Sequence, residues 1–319
     1  MGNDSSCCSL DGINDARRVC MTLDIPHYTV DFTDVFKKNV IDYFIDSYMS
    51  GETPNPCVKC NRLIKWQEML KKADALGAEY VAMGHYAFVR HSAETGRRYI
   101  SRGEDKRKDQ SYALWGLTQE SLARTLFPLA GFTKEQSRAE AARFGLPIAA
   151  KPESYEICFV ADNNYKRFLR DNVEDFDAKM SGGKLLLDGA VIGEHKGFAH
   201  YTIGQRKGLG VSHHEPLFVL DVVAETNTVV VGRDEDLLTE GLRARALNMM
   251  KYPDLREGRD CMVKIRYKDD GELAFCQTDD EGNLTARFHK PRRAVTRGQS
   301  VVLYDGDDVV GGGIIADAL

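Results

Sequence analysis

Apolar residues recur at helical spacing through the first half of the chain, and short apolar runs separate the periodic segments. The periodicity predicts helices over residues 11–23, 35–48, 61–77 and 133–145. The short runs predict strands over residues 26–32 and 79–85. Thr133 and Gln136 have the spacing of a capping box, which supports the last helix. Helices that alternate with strands are typical of a parallel α/β sheet.

After residue 163 the helical periodicity fades, and glycines and short β-branched runs replace it. Asp188-Gly189 predicts the turn of a hairpin over residues 184–193. Further strands are predicted over residues 217–220, 228–231, 261–267, 273–277, 284–288 and 300–303. The close alternation of the last strands indicates a small closed β-barrel.

These patterns divide an α/β chain into three domains. We predict a parallel-sheet domain over residues 1–163, a small central β-rich domain over residues 164–238 and a C-terminal β-barrel over residues 239–319. Neither a fixed-period repeat nor a low-complexity linker interrupts this order.

The composition is that of an ordinary soluble protein, with 319 residues, 43% hydrophobic and 29% charged. No run of about eighteen apolar residues predicts a membrane span, and the N-terminus lacks the features of a signal peptide. We therefore expect a cytoplasmic protein that does not engage membranes. Eight cysteines are too sparse for a disulfide scaffold, so we expect them to be buried, metal-bound or catalytic.

The net charge of −5 argues against a general nucleic-acid coat, but basic residues cluster in two places. The clusters are Arg97, Arg98, Arg102, Lys106, Arg107 and Lys108, and Arg287, Lys290, Arg292, Arg293 and Arg297. Two basic patches on an acidic protein favour a shaped anionic partner held at defined points. Solvated surface loops would give the same pattern.

Residues 53–61, with the sequence TPNPCVKCN, hold the clearest chemical signal in the chain. Two prolines predict a rigid, non-helical lead-in, and Cys60-Asn61 is predicted to open the helix that follows. A thiol at a helix N-terminus faces free N–H groups and the positive end of the helix dipole, which favours the reactive thiolate. The isolated Cys158 offers a partner sulfur, unless it is an ordinary buried cysteine.

The Cys57-x-x-Cys60 spacing leaves several interpretations open. A zinc site needs two more soft ligands, and the sequence has no second closely spaced pair. A thioredoxin-like dithiol fits the spacing but requires neither Cys158 nor the basic clusters. Structural burial of both cysteines is disfavoured by the proline-rich lead-in. A nucleophile paired with a distant cysteine accounts for most of these features.

Other polar segments carry weaker signals. Gly84 and His85 end a predicted strand, where ligands bind in parallel sheets, although such a histidine is more often simply packed. Residues 108–112 combine charged, amide and aromatic groups that suit phosphate and base contacts. Residues 201–210 are glycine-rich with two cations but lack the flanking strand and helix of a dinucleotide site.

Taken together and in order, these motifs resemble those of the tRNA-uridine 2-sulfurtransferases, also called tRNA-specific 2-thiouridylases. The matching segments are residues 53–61, 84–86, 108–112, 157–159, 193–197, 202–210, 266–267, 297–299 and 311–315. Each motif is weak alone, whereas the ordered set across essentially the whole chain is specific.

The resemblance implies ATP-dependent replacement of O2 by sulfur at the wobble uridine of tRNA. ATP, with magnesium and without a tightly bound metal, would adenylate the C2 oxygen, and a cysteine persulfide would deliver sulfur to C2. The implied partners are tRNA and a persulfide-donating sulfur carrier or cysteine desulfurase. The implied N-terminal fold is that of the ATP pyrophosphatases, which are adenine nucleotide alpha hydrolase-like.

By motif position, the resemblance implies that Cys158 carries the persulfide. Cys60 would be the second catalytic cysteine, which attacks the persulfide and leaves a Cys60–Cys158 disulfide. The flipped target base would lie in a pocket of Asn55, Pro56 and Cys57. The implied nucleotide contact is Gly84, and the implied tRNA contacts are His85, Lys108, Asp109, Gln110, Arg266, Tyr267 and Gln299.

The sequence departs from the family pattern in two places. The ATP-pyrophosphatase loop, Ser-Gly-Gly-x-Asp-Ser, has no counterpart in these 319 residues. We therefore expect either a thiouridylase whose complete form carries the loop or a truncated, inactive remnant that binds tRNA without catalysis. Cys57 stands where the family often has an aspartate, which leaves an acid–base role unassigned. A dithiol oxidoreductase using Cys57 and Cys60 is the remaining alternative.

Overall fold

A computed structural model describes residues 10–151, 157–160 and 162–319. The helices are α1 (Leu10–Thr22), α2 (Thr33–Phe36), α3 (Asp42–Met49), α4 (Pro56–Lys59), α5 (Met69–Ala75), α6 (Gln119–Ala123), α7 (Lys134–Arg143), α8 (Tyr165–Asn172) and α9 (Phe176–Met180). π-Helical segments join α2 to α3 and α4 to α5. We call the two joined elements the 33–49 helix and the 56–75 helix. No helix in the described ranges is long and apolar enough to cross a bilayer.

The strands of the described residues form three sheets. They are β1 (Val81–Ala82), β2 (Ala87–His91), β3 (Arg98–Arg102), β4 (Thr125–Leu126), β5 (Gly183–Leu187), β6 (Ala190–His195), β7 (Phe218–Val223), β8 (Thr228–Gly232), β9 (Leu238–Met249), β10 (Arg259–Lys264), β11 (Glu272–Thr278), β12 (Leu284–Arg293), β13 (Ser300–Asp305) and β14 (Asp308–Ala318). β1 pairs with β4, and the central sheet has the order β6-β5-β8-β7. The remaining strands form one large sheet.

Local signals placed two elements correctly. The Thr133 hydroxyl accepts a hydrogen bond from the Gln136 N–H, and the Gln136 side chain accepts one from the Thr133 N–H, so the predicted capping box of α7 is confirmed. Asp188 and Gly189 have φ angles of 50° and 80°, as a tight turn between β5 and β6 requires.

The 56–75 helix starts earlier than the sequence predicted. Pro56 is its first residue, and Asn55 before it has a non-helical backbone, with φ −114° and ψ 86°. Proline is stable at a first helical position because its φ is already helical and an N–H there would lack a partner. Cys57 therefore lies in the first turn, and Cys60 lies about one turn further in.

The predicted parallel sheet is confirmed but small. β1 and β4 run in parallel, with Val81 opposite Thr125. The prediction of a strand over residues 26–32 was wrong, because Tyr28 and Val30 are exposed and no described strand lies beside them. A strand needs such a neighbour to satisfy its backbone hydrogen-bonding groups.

The predicted C-terminal barrel is confirmed, and it is joined to the N-terminal domain. Its strands have the order β13-β10-β11-β12-β9-β14, and β13 also pairs with β14, which closes the barrel. The β2–β3 hairpin of the N-terminal domain, which the sequence did not predict, extends this sheet. Ser101 of β3 lies opposite Asp308 of β14.

Trp115 of the N-terminal domain packs directly on the barrel. A Cβ at Gly312 would lie 2.6 Å from Trp115 Cγ, so the contact requires glycine. Asn248 Nδ2 donates to the carbonyls of Trp115 and Leu117 at 2.6 and 2.8 Å. The glycine-rich segment 311–313 thus serves domain packing.

The central domain also shares its core with the N-terminal domain. Phe44 and Tyr48 of the 33–49 helix are buried in one cluster with Leu169 and Val219 of the central domain. The two domains are therefore held together by apolar burial along this helix.

Candidate functional site

Cys57 and Cys60 lie in the first turns of the 56–75 helix. Cys57 is exposed and Cys60 is half-buried. Asn61 is buried, and its Nδ2 donates to the Ala113 carbonyl at 2.9 Å, which fixes the helix at the cysteines. Because Cys57 rather than Cys60 is in the first turn, the unsatisfied N–H groups of the helix lie closer to the Cys57 thiol.

The loop that leads into this helix is held by the C-terminal barrel. The Thr53 N–H donates to the Arg297 carbonyl at 2.9 Å. Gln299 Nε2 donates to the carbonyls of Thr53 and Pro54 at 3.1 and 3.2 Å. A Cβ at Gly298 would lie 2.9 Å from both the N and the O of Thr53. We call Arg297, Gly298 and Gln299 the loop clamp.

All three domains meet at this loop. Arg297 Nη2 donates to Asp221 Oδ1 at 2.5 Å and to the Val222 carbonyl at 2.8 Å, and both acceptors belong to the central domain. Arg245 of β9 pairs with Glu52 at 2.7 Å. The backbone before the cysteines is thus fixed from two sides.

Cys158 is half-buried beside the 33–49 helix. The ring of Phe159 lies edge-on to Phe36 and Phe44, with centroids 5.8 and 5.2 Å apart. These contacts dock the Cys158 segment on the 33–49 helix. Residues 152–156, which belong to the same sequence motif, lie outside the described residues.

The helix of Cys60 contacts the 33–49 helix as well. Lys59 Nζ lies 4.9 Å from the centre of the Tyr43 ring, next to Cys60 in sequence. The structure therefore places the segments of Cys60 and Cys158 against one helix, and both side chains are reduced thiols.

Gly84 and His85 follow β1 at the carboxyl end of the parallel pair, where the sequence placed them. Gly84 is exposed, and the nearest side-chain atom to a Cβ there would be Leu129 Cδ1 at 3.7 Å. The imidazole of His85 lies between Trp66 and Phe127, with ring centres 5.5 and 5.7 Å away.

The charge state of His85 follows from this packing. Burial, and to a lesser degree the positive charge of Lys65, lower the pKa of His85 to about 4. The ring is therefore neutral at neutral pH. It can stack or form a hydrogen bond but offers no positive charge to a phosphate.

Asp109 and Gln110 are engaged within the protein. Asp109 Oδ2 accepts a hydrogen bond from Ser111 Oγ at 2.8 Å. Gln110 Oε1 accepts from the Tyr86 N–H, and the Gln110 N–H donates to the Tyr86 carbonyl, both at 3.1 Å. These bonds shape the turn that carries the half-buried Lys108.

Arg266 and Tyr267 lie after β10, not within it as the sequence predicted. The Tyr267 hydroxyl donates to the Asp109 carbonyl at 2.9 Å, and Arg266 Nη2 donates to the Arg293 carbonyl at 3.1 Å. The structure thus brings Tyr267 to Asp109, whereas it places Gln299 at the loop before the cysteines.

Many cations of the two predicted basic clusters have acidic partners. The pairs are Arg102 with Asp109 (3.9 Å), Lys106 with Asp307 (2.7 Å), Arg107 with Glu135 (3.1 Å), Arg292 with Asp269, Arg293 with Asp234 (2.7 Å) and Arg297 with Asp221 (2.5 Å). Several of these pairs join different domains, so the clusters serve assembly as much as any external anion.

In residues 10–151, 157–160 and 162–319, no three His, Cys, Asp or Glu side chains are grouped as a metal site would require. Cys7 and Cys8 lie outside the described residues. Within the described part, Cys57 and Cys60 therefore lack the further ligands that a zinc site needs.

Sequence reasoning missed the residues that hold the site in place. Asn61 had a visible signal, since it directly follows Cys60 and is polar in an otherwise apolar helix face. The Arg245–Glu52 pair and the backbone contact of Gly298 had none, because their partners are remote in sequence.

Three family models match the chain in succession. Residues 1–162 match the tRNA methyl transferase HUP domain, residues 168–233 the tRNA methyl transferase PRC-barrel domain, and residues 239–315 the aminomethyltransferase beta-barrel domain. The first match identifies the small parallel pair and its helices as a HUP domain.

The chain is also similar, along nearly its whole length, to proteins named tRNA-specific 2-thiouridylase MnmA. It is 50% identical over 316 residues to that of Salinibacter ruber, covering 98% of this chain and 82% of the relative. It is 47% identical over 315 residues to that of Amoebophilus asiaticus, covering 98% and 83%. The relative from Acetivibrio thermocellus is 44% identical over 313 residues, covering 98% and 86%.

Proposed function

The chain belongs to the tRNA-specific 2-thiouridylase family, and on that premise we propose that it replaces O2 of the wobble uridine of tRNA by sulfur in an ATP-dependent reaction. The observation that carries the proposal is the docking of the Cys60 and Cys158 segments on the 33–49 helix, both as half-buried thiols. Sulfur transfer that ends in a disulfide needs two accessible thiols on neighbouring elements.

ATP supplies the adenylyl group that turns O2 into a leaving group, with release of pyrophosphate. Gly84 fits a nucleotide contact because it is exposed at the carboxyl end of the parallel pair, where α/β sheets bind ligands. The absence of a side chain at Gly84 lets a ligand approach the backbone closely.

Cys158 carries the persulfide, which a sulfur carrier or cysteine desulfurase delivers. The outer sulfur bonds to C2 as AMP leaves. The Cys60 thiolate then attacks Cys158 Sγ, which breaks the S–S bond, releases 2-thiouridine and leaves a Cys60–Cys158 disulfide. A thiol reductant must return both cysteines to thiols before the next cycle.

The target base enters beside Asn55, Pro56 and Cys57. Pro56 is buried and Cys57 is exposed, so this wall combines a rigid support with an accessible thiol. The loop clamp holds the backbone immediately before these residues. Such fixation favours a flipped base because little conformational entropy remains to be lost on binding.

The experiment that tests the proposal replaces each cysteine in turn. We expect Cys158→Ser and Cys60→Ser to lower 2-thiouridine formation by at least about 100-fold, because each removes a sulfur that a bond must form to or break from. The yield is measured by mass spectrometry of nucleosides after incubation with tRNA, ATP and a persulfide donor.

Cys20→Ser is the matched control, because Cys20 is also a half-buried thiol but lies in α1. It should leave the yield unchanged. Full thiolation by Cys158→Ser would refute the persulfide assignment. Binding of tRNA without any thiolation by the unaltered protein would refute the proposed activity.

A further inference from the structure

Three cations near Cys57 and Cys60 make no ion pair among the described residues: one lies between the two cysteines and two follow Cys60 on the same helix. They are Lys59, Arg62 and Lys65, and we call them the cation site. The only acid of the same helix segment, Glu68, already pairs with Lys71 at 2.6 Å. Arg62 is exposed, whereas Lys59 and Lys65 are half-buried.

The cation site differs in this respect from the basic clusters that the sequence predicted. Lys106 and Arg293, for example, bind Asp307 and Asp234, each at 2.7 Å. Cations paired in this way have less attraction left for an external anion. Within the described part of the chain, no acid neutralises the cation site beside the cysteines.

Lys59 is held in place without an ion pair to any acid of the described residues. Its Nζ lies over the Tyr43 ring, and burial together with the charge of Arg62 lowers the pKa of Lys59. Glu52, whose negative charge contributes to the raised pKa of Tyr43, already forms an ion pair with Arg245. Packed cations that repel each other are unfavourable unless an anion joins them.

The side chain of Arg62 is supported along its stem. A Cβ at Gly116 would lie 3.6 Å from both Cβ and Cδ of Arg62. The guanidinium group is thus carried by packed methylene groups while the residue stays exposed. A guanidinium presented in this way suits the bidentate binding of a phosphate.

Lys65 extends the site toward the Gly84-His85 segment. Its charge is the second cause of the lowered pKa of His85, after burial. Trp66, the residue after Lys65, has its ring centre 5.5 Å from that of His85, so the cation site extends along the helix from the cysteines toward the carboxyl end of β1.

We propose that Lys59, Arg62 and Lys65 bind the phosphate backbone of the tRNA beside its target base. The inference rests on the proposed function and adds a contact surface to it. A helix surface that carries one exposed and two half-buried cations fits a polynucleotide backbone, whereas a triphosphate is usually cradled by backbone N–H groups in a loop. Phosphate contacts of this kind set the position of a nucleic acid without reading its sequence.

The test is the salt dependence of tRNA binding. Arg62→Gln should weaken binding and lower the slope of log affinity against log salt by about 0.7 to 1, measured between about 50 and 200 mM salt. Arg62→Lys should restore most of the slope, because it keeps the charge. Arg62 is exposed, so neither change should alter the unfolding midpoint.

Lys72→Gln is the matched control, because Lys72 is an exposed cation of the same helix without an ion pair among the described residues, further from the cysteines. The slope of log affinity against log salt for Lys72→Gln should equal that of the unaltered protein. Equal slopes for the Arg62→Gln, Lys72→Gln and unaltered proteins would overturn the proposal.

The source of the bound phosphate is tested with ATP as competitor. Displacement of tRNA by excess ATP from the unaltered protein but not from Arg62→Gln would assign the site to a nucleotide and overturn the tRNA assignment. If the unaltered protein thiolates tRNA but the Arg62→Gln variant keeps the full slope of log affinity against log salt, the proposed function stands and only the cation site is overturned. An unaltered protein that binds no tRNA would overturn both.

Discussion

At the scale of single residues, burial decides whether a titratable side chain carries charge. His85 lies between Trp66 and Phe127, and burial first and Lys65 second lower its pKa from 6.5 to about 4. The unfolded chain therefore binds a proton at a pH where the folded chain does not. The family resemblance implies a tRNA contact at His85, and the aromatic packing makes the ring of that residue neutral at neutral pH.

This shift predicts acid destabilisation through His85. As pH falls from 6.5 to about 4, the unfolded state gains the proton first, so the free energy of unfolding should fall across this window. His85→Asn should remove about 1 to 3 kcal/mol of that fall. Urea unfolding at several pH values in the window measures it.

His91→Asn serves as the control, because His91 is exposed at the end of β2. Its unfolding free energy should follow that of the unaltered protein at every pH. Burial and nearby cations also lower the pKa of His200 to about 4, so part of the pH dependence should survive in His85→Asn. An unchanged pH dependence in His85→Asn would contradict the prediction.

At the scale of elements, the loop before the 56–75 helix depends on a glycine in a different domain. Gly298 has φ 85°, and a Cβ there would lie 2.9 Å from the Thr53 backbone. We expect Gly298→Ala to displace the loop and reduce kcat for tRNA thiolation by about tenfold or more, with a smaller change in KM, because misplacing reacting groups costs rate. Steady-state kinetics with tRNA as the varied substrate measures both constants.

Gly282→Ala separates this displacement from backbone strain. Gly282 has a similar φ of 80°, but nothing lies within 4 Å of a Cβ there. The control should cost about 1 kcal/mol of stability from the positive φ alone and leave kcat unchanged. Equal kinetics for the two variants would show that the loop clamp does not position the loop.

At the scale of the whole molecule, the contacts across domains predict cooperative unfolding. The β2–β3 hairpin continues the barrel sheet, and Trp115 packs on Gly312. Gly312→Ala places a methyl group 2.6 Å from Trp115 Cγ, so it should destabilise the protein by about 1 to 3 kcal/mol.

Both tryptophans, Trp66 and Trp115, lie in the N-terminal domain, so their fluorescence reports that domain, while far-UV circular dichroism reports the whole chain. In Gly312→Ala, both denaturation midpoints should fall together. Gly131→Ala is the control, because its nearest contact would be Phe88 Cζ at 4.0 Å. A fall in one midpoint alone would show that the domains unfold independently.

The sequence by itself determined the features that depend on neighbouring residues. The cap of α7 follows from Thr133 and Gln136, three positions apart, and the β5–β6 turn follows from Asp188-Gly189. Alternation along the last strands predicted the barrel, and the order of the motifs predicted the family. Such signals survive without tertiary knowledge because their physical partners are adjacent in the chain.

Only the tertiary structure decided where the polar side chains of those motifs are directed. Gln299 bonds to Thr53 across 246 positions, and Lys106 pairs with Asp307 across 201 positions. The neutral state of His85 likewise depends on rings that the fold brings together. Charge and hydrogen bonding act through space, so many cations of the basic clusters of the sequence are paired with acids, while Lys59, Arg62 and Lys65 make no ion pair within residues 10–151, 157–160 and 162–319.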